Sequence, residues 1–400
     1  MVEWFMQINY PRCILKKGKE KPVLGFHPWI FSGAIDSVEE GLQPGDLVRV
    51  ESGFGEFLGV GYFNPASQIT VRMLAFEHRW IDGGFFDDKI AQAVTLRKER
   101  ILNARTNACR IINSDGDFLP GLVADLYNDV LVVQFLTMGM EKQKSLILPL
   151  LEKHFPLRAV YEKVSPAECK MEGMEKESSV LAGRLPADGR TEISENGMRF
   201  HIRWESAQKT GFFLDQRDNR KLIHKIASGK DVLDCFCYNG GFSVSAALGE
   251  AKQIMSVDIS EHAIEAAREN MKLNSPQTPH FAEKRDVFEF LREDSFEPNL
   301  IILDPPAFCK SKSQIQQSAR GYKDINLAAI KKLPVGGLLY TASCSSFITP
   351  DLFQKIVFGA AKDAKREVKI LAKTGHAMDH PISIYHPEGE YLKGLLLQIN

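Results

Sequence analysis

From residue 231 onward, short wholly apolar runs alternate with stretches whose apolar residues recur every three or four positions. Val232-Leu233, Ile254–Val257, Leu300–Leu303 and Leu338–Thr341 read as buried strands. Between them, Phe242, Val244, Ala246, Ala247 and Leu248 follow a helical pattern, Ser260 is placed to cap a helix reaching about Leu273, and Asp324–Leu333 reads as another helix. Alternation of this kind predicts an open, doubly wound Rossmann-like parallel sheet. A helix over Asp218–Ala227 and a hairpin over Ile193–Trp204, with Asn196-Gly197 at its tip, lead into it.

Upstream the pattern differs. Residues 1–76 are punctuated by turn signals, with strands expected at Leu47–Val50, Phe57–Tyr62 and Ile69–Leu74, a compact barrel-like module. Residues 77–190 read as a central α+β domain. A helix is expected over Asp87–Asn103, started by Asp87 and Asp88. Strands follow at Arg110–Ile112, Gly121–Leu126 and Val130–Leu136, with a turn at Asn128-Asp129, then a helix over Lys142–His154. Glu162–Pro186 is polar and reads as an irregular connection. The expected organisation is therefore multidomain α/β: a barrel over 1–76, an α+β domain over 77–190 and the doubly wound sheet over 191–400.

Composition narrows the class of partner. With 44% hydrophobic and 25% charged residues over 400 positions, the chain is an ordinary globular protein large enough for several cores. Its net charge of −1 gives no bulk attraction to nucleic acid or membrane, so a polyanionic substrate requires local positive charge. No apolar run approaches the ~20 residues of a membrane span. The N-terminus, MVEWFMQINYPR, lacks a secretory pattern, and seven scattered cysteines without a CxxC pair suit reduced thiols. A cytoplasmic location, no membrane partner and no metal site are expected.

The chemistry concentrates at predicted strand ends. The turn D-C-F-C-Y-N-G-G sets Asp234 before the glycine pair Gly240-Gly241, and the next strand ends on Asp258. Glycines admit a ligand close to the backbone, and an acid after the second strand can accept ribose hydroxyls. The G-x-G-x-x-G of diphosphate-binding turns is absent, and Asp234 would repel a diphosphate. It suits instead the ammonium of S-adenosylmethionine, which carries no phosphate. Such glycine turns also serve purely structural ends.

Asp304 opens Asp304-Pro305-Pro306, where two prolines stiffen a loop able to present a carboxyl and carbonyls to a flat base. Cys344 follows the strand Leu338–Thr341 among hydroxyls, and is expected to be more solvent-reachable than Cys235, Cys237 or Cys309. A thiolate that adds to C6 of a pyrimidine makes C5 nucleophilic enough to take a methyl group, and an acid such as Asp304 assists at N3. A buried packing role is the alternative for any one cysteine. Lys310, Lys312, Arg320, Lys323, Lys331 and Lys332 oppose only Asp324, and the stretch 310–323 reads as a positive loop at the mouth of the site. A second basic cluster, which includes Lys16 and Lys17, lies in the N-terminal module as either a solvated face or an RNA contact.

Taken together, these stretches resemble the bacterial 23S ribosomal RNA cytosine-5 methyltransferases typified by the large-subunit methyltransferase I. The resemblance covers nearly the whole chain. LKKGKEKPVLGFHPWIFSGAI, PGDLVRV and GVGYFNPASQITVRML are similar to that family's RNA-binding PUA domain, and DGDFLPGLVADLYNDVLVVQF to its central domain. KTGFFLDQRDNR, LDCFCYNGGFSV, DPPAFCKSK, RGYKDIN and TASCSS match its catalytic domain in order. The resemblance implies S-adenosylmethionine held by Asp234, Phe236, Cys237, Tyr238, Gly240, Gly241, Asp258 with Ile259, Asp286 with Val287, and Asp304, with Phe213, Gln216 and Arg217 closing the site. It implies Cys344 as nucleophile, with Asp304 and the prolines after it holding the cytosine. Pro305, Pro306, Phe308, Lys310, Lys312, Arg320, Lys323, Lys16 and Lys17 would contact the RNA. Some relatives carry a second cysteine directly after the motif's proline; here Ala307 stands there and Cys309 lies further on, so Cys344 would act alone. The implied partner is 23S ribosomal RNA or a large-subunit assembly intermediate, with the oligomeric state open and a homodimer among the options. Two alternatives remain open from the residues: a methyltransferase directed at an exocyclic amine or ring nitrogen, and a catalytically silent RNA-binding relative.

Overall fold

The computed structural model describes residues 9–204, 210–309 and 311–400. The chain forms two compact units: Met1–Thr191 with Arg203–Phe212 and Met378–Gly389, and Glu192–Ile202 with Phe213–Ala377 and Glu390–Asn400.

The first unit contains two sheets. The N-terminal one has six strands, Arg12–Leu15, Trp29–Phe31, Ile35–Val38, Leu47–Glu51, Phe57–Phe63 and Ile69–Ala75. The three expected strands are present, each one residue longer, and alternate residues such as Val48, Val50, Val71 and Met73 fill the core. The second sheet has five strands and packs the helix Gly83–Arg100 through Phe85, Phe86, Ile90 and Val94.

Three expectations here are corrected. The helix starts at Gly83, because Asp82 takes the extended cap conformation and its carboxylate accepts from the Phe85 N–H at 3.0 Å; Asp87 and Asp88 lie a turn further on, paired with Lys153 and Arg79. The helix expected over Lys142–His154 is two helices, Met138–Lys142 and Lys144–Glu152, the first capped by Thr137. Glu162–Pro186 is not irregular: it holds the helix Pro166–Glu172 and an edge strand, Ser179–Gly183. Ion pairs organise it, with Lys176 bridging Glu162 at 2.6 Å and Glu141 at 2.5 Å. An apolar pattern carries no trace of such pairs.

The stretch Met378–Gly389 joins the first unit through polar anchors. Buried Arg97 makes a bidentate pair with Asp117 at 2.6 and 2.7 Å and donates to the Asp379 carbonyl at 2.8 Å. The Asp379 carboxylate accepts from the Arg110 N–H at 2.9 Å.

In the second unit the hairpin Arg190–Glu195/Met198–Arg203 precedes α1 (Arg217–Ile226). Asn196 and Gly197 both take positive φ, the conformation a two-residue hairpin turn requires. There follow β1 (Asp231–Cys235), α2 (Gly241–Leu248), β2 (Gln253–Asp258), α3 (Glu261–Asn274), β3 (His280–Lys284), α4 (Val287–Glu293) and β4 (Leu300–Leu303). The unit ends with α5 (Ile315–Lys332), β5 (Leu338–Ser343), α6 (Pro350–Ala364), β6 (Val368–Thr374) and β7 (Lys393–Ile399). The sheet order is β3-β2-β1-β4-β5-β7-β6, parallel except at β7, which runs antiparallel to β5 and β6. The doubly wound sheet is as expected, and the near-continuous apolar strands β1, β4 and β5 lie in its buried centre.

One departure matters for the site. Helix α5 begins at Ile315, nine residues before the expected Asp324, so Arg320 and Lys323 stand on a helix and not on a basic loop. Lys323 is paired with Asp363 of α6 at 2.6 Å. Lys312, in a short helical turn ahead of α5, and Arg320 are exposed; Lys310 lies outside the described residues.

Candidate active site at the edge of the parallel sheet

Strand register brings the acids together. Cys235 pairs with Val257 on one side and Leu303 on the other, so Asp234, Asp258 and Asp304 emerge within a residue of one level at the carboxyl edge. Leu303 in turn pairs with Thr341, which puts Cys344 just beyond the same edge on β5. In open sheets of this kind ligands gather at that edge, where the strand order reverses.

The turn after β1 is unusual in its backbone. Phe236, Tyr238 and Gly240 take φ of +60°, +48° and +75°, so every second residue is left-handed. Bulky residues adopt this conformation only at a cost of order 1–3 kcal/mol, and such strain concentrates at ligand sites. The N–H groups of this turn are already engaged: that of Cys237 by the Val257 carbonyl at 3.2 Å and that of Gly240 by the Cys237 carbonyl at 2.8 Å. At Gly240 a side chain would add a second cost to that of its φ, since a Cβ would lie 3.0 Å from Ala267 of α3.

Asp234 is buried, and Ser243 of α2 donates to its Oδ2 at 2.5 Å. Ser243 continues a hydroxyl chain to Ser256 at 2.7 Å, and Ser256 meets His280 Nε2 at 2.8 Å. Oδ1 of Asp234 has no hydrogen-bond partner among the described residues. Burial, with the charges of Asp304 and Asp258 adding, pushes the carboxyl from 3.8 up to about 7. A buried acid with one oxygen left over is suited to a ligand cation, and the methionine ammonium of S-adenosylmethionine fits it. Asp258 is held by the Tyr238 N–H at 3.1 Å and the Ser260 N–H at 2.9 Å, which leaves lone pairs on both oxygens for a ribose diol. Ile259, beside it, is 65% exposed and offers an apolar surface.

The remaining candidates divide. Asp286 caps α4, its Oδ1 accepting from the Phe288 and Glu289 N–H groups. Val287 is packed in the core, which leaves only its backbone to face a ligand. Cys237 is buried, while the Phe213 and Tyr238 rings meet edge-on at 5.2 Å. Gln216 donates to Asp304 Oδ1 at 2.9 Å and is itself held by Asn219 at 2.6 Å. Arg217 is buried against Glu195 at 3.6 Å, beside the bidentate Arg220–Glu195 pair at 2.6 and 2.7 Å. Pro305 is buried, Pro306 is exposed, and Phe308 leans on Tyr322 with centroids 4.6 Å apart, packed against the core. Lys16 and Lys17 belong to the first unit, where Lys16 donates to the Gly33 carbonyl at 3.1 Å and Lys17 lies over the exposed Phe54 ring.

Cys344 is partly exposed, whereas Cys13, Cys109, Cys169, Cys235, Cys237 and Cys309 are all buried. Its sulfur is 4.0 Å from the Pro305 carbonyl, so the thiol and the Asp-Pro-Pro loop share one face. Cys309 turns its sulfur to the Ser311 carbonyl at 3.3 Å, and burial pushes Cys235 and Cys237 up, away from thiolate character. Sequence reasoning missed Ser243, Ser256 and Lys393. A lysine opening the otherwise apolar run KGLLLQI was the available signal for the last; the serines had none. Among the described residues no group of acids, histidines or cysteines is placed to hold a metal, and no helix is long and apolar enough to cross a membrane.

Comparison with known proteins bears on both units. Residues 13–76 match the family model of the PUA-like domain, and residues 180–370 that of the S-adenosylmethionine-dependent methyltransferase. Among solved structures, a putative S-adenosylmethionine-dependent methyltransferase from Streptococcus mutans superimposes with a TM-score of 0.82 at 22% identity, over 97% of this chain and 99% of that one. A putative methyltransferase complexed with SAH gives 0.83 over the same shares, also at 22% identity. These show the fold. The ribosomal RNA large subunit methyltransferase I of Pseudoalteromonas atlantica is 41% identical over 394 residues, 97% of this chain and 99% of its own. That of Shewanella denitrificans is 42% identical over the same shares. Similarity of this extent, end to end, together with a Rossmann-like sheet whose edge fits S-adenosylmethionine, places the chain in the ribosomal RNA large subunit methyltransferase I family of S-adenosylmethionine-dependent methyltransferases.

Proposed function

We propose that the protein methylates C5 of a cytosine in large-subunit (23S) ribosomal RNA through a covalent bond between Cys344 and C6. The observation that carries this reading is the thiol of Cys344, the partly exposed cysteine, facing the Pro305 carbonyl at 4.0 Å. When bound, S-adenosylmethionine supplies an electrophilic methyl on its sulfonium.

The chain's own groups do the rest. The Asp304 carboxyl, oriented by Gln216, protonates N3 as the Cys344 thiolate adds to C6; the S–C6 bond forms and the ring electron pair moves to C5. C5 takes the methyl, and the methyl–sulfur bond of the donor breaks with its pair left on sulfur. Loss of the C5 proton to solvent, with return of the N3 proton to Asp304, restores the C5–C6 double bond as the S–C6 bond breaks and the thiolate leaves. Asp234 and Asp258 bind and orient the donor and take no part in bond making. The flat base enters against the stiff Asp304-Pro305-Pro306 loop.

Transfer of a labelled methyl to large-subunit RNA, followed by nucleoside mass spectrometry, tests the reading. 5-Methylcytidine is expected from the wild type, with a loss of at least roughly 10³-fold in Cys344→Ala, as befits removal of a covalent nucleophile. A methylated amine or ring nitrogen, or full activity in Cys344→Ala, would contradict it.

A further inference from the structure

Lys393 opens β7 opposite Ser343, the last residue of β5 before the loop of Cys344. It is 5% exposed, and its Nζ donates to the Ser345 carbonyl at 2.6 Å and the Tyr391 carbonyl at 2.8 Å. Two of its three N–H donors are thus engaged by neutral acceptors, and among the described residues no carboxylate pairs with it. An ammonium buried without a counter-ion is costly and persists where the surroundings need its charge. The titratable groups that face it are Cys344, Glu390 and Cys309, and Tyr322 faces Cys344 from α5. Glu390 is exposed and Cys309 is turned to the Ser311 carbonyl, so Cys344 is the group whose ionisation would complete the pair.

We propose that Lys393 is the positioning residue of the nucleophile: its ammonium, seated on the carbonyl of Ser345, favours the thiolate of Cys344 and fixes the loop that carries it. The assignment rests on the reading of Cys344 given above. Burial pushes the ammonium down to about 8, so it is still mostly charged at neutral pH, while the charge of Cys344 acts in the opposite direction. The effect on the thiol is reciprocal. A thiolate beside a buried cation forms at lower pH than a free thiol, and it forms without RNA or methyl donor present.

The test is the pH profile of Cys344 alkylation by iodoacetamide in the full-length chain, followed by mass spectrometry of the peptide that carries it. In the wild type the midpoint is expected below the ~8.5 of a free thiol. It should rise by about one unit or more in Lys393→Met and in Lys393→Gln, which removes the charge but retains amide donors for the carbonyls, and stay low in Lys393→Arg. A purely structural lysine would leave the midpoint where it was in any variant that still binds S-adenosylmethionine, and that result would overturn the proposal. Methylation that persists in Cys344→Ala would overturn the reading beneath it, separately and by a different assay.

Discussion

Asp234 stands at odds with its surroundings: buried, shared with Ser243 on one oxygen, without a partner among the described residues on the other, and pushed up to about 7. Its folded-state value lies above that of the unfolded chain, so its contribution favours folding below about 4 and is lost as pH rises through about 7. Asp234→Asn should therefore melt higher than the wild type at pH 8 in the absence of cofactor, with the gain vanishing near pH 4. The same substitution should weaken S-adenosylmethionine about tenfold or more, since a charge-assisted hydrogen bond is lost. Calorimetry across pH 6–8 should show affinity rising with pH in the wild type and flat in the variant. The three acids were legible because each stands alone at the end of an apolar run. Ser243, which holds one of them, was not: nothing in a serine's identity says which way a helix turns it.

At the scale of elements, the turn between β1 and α2 and the hairpin before α1 fix the site. Gly240→Ala must adopt φ of +75° and press a methyl on Ala267, so a loss of about 1–2 kcal/mol is expected in chemical denaturation. The hairpin is tied to α1 by the buried Glu195 carboxylate and the Arg220 and Arg217 guanidiniums. Glu195→Gln removes the carboxylate charge that both buried guanidiniums face, and should cost roughly 3–5 kcal/mol by the same measurement. Strands and glycine turns were readable because their period and punctuation are local. The start of α5 was not, since Gln314 stands where a serine, threonine or aspartate would announce a helix. Nor was the strand Ser179–Gly183, which depends on register against Ala159–Glu162 and on lysine pairs from distant sequence.

For the whole molecule, a net charge of −1 means that RNA affinity cannot come from bulk attraction. Lys312 and Arg320, which follow the Asp304-Pro305-Pro306 loop in sequence, are both exposed. Replacing either by alanine should weaken RNA binding and lower the salt dependence of the binding constant by about one unit of slope, as a titration at several salt concentrations would show. The doubly wound sheet was legible, but the return of Met378–Gly389 to the first unit was not, because Asp379 is recognised by Arg97 and Arg110 across the sequence. Incubation of the protein and S-adenosylmethionine with large-subunit RNA containing 5-fluorocytidine, whose fluorine cannot leave C5 as a proton does, should trap a covalent protein–RNA species. Peptide mapping should place the RNA on Cys344, and Cys344→Ala should form none; an adduct on another cysteine, or no adduct while ordinary cytidine is methylated, would contradict the account.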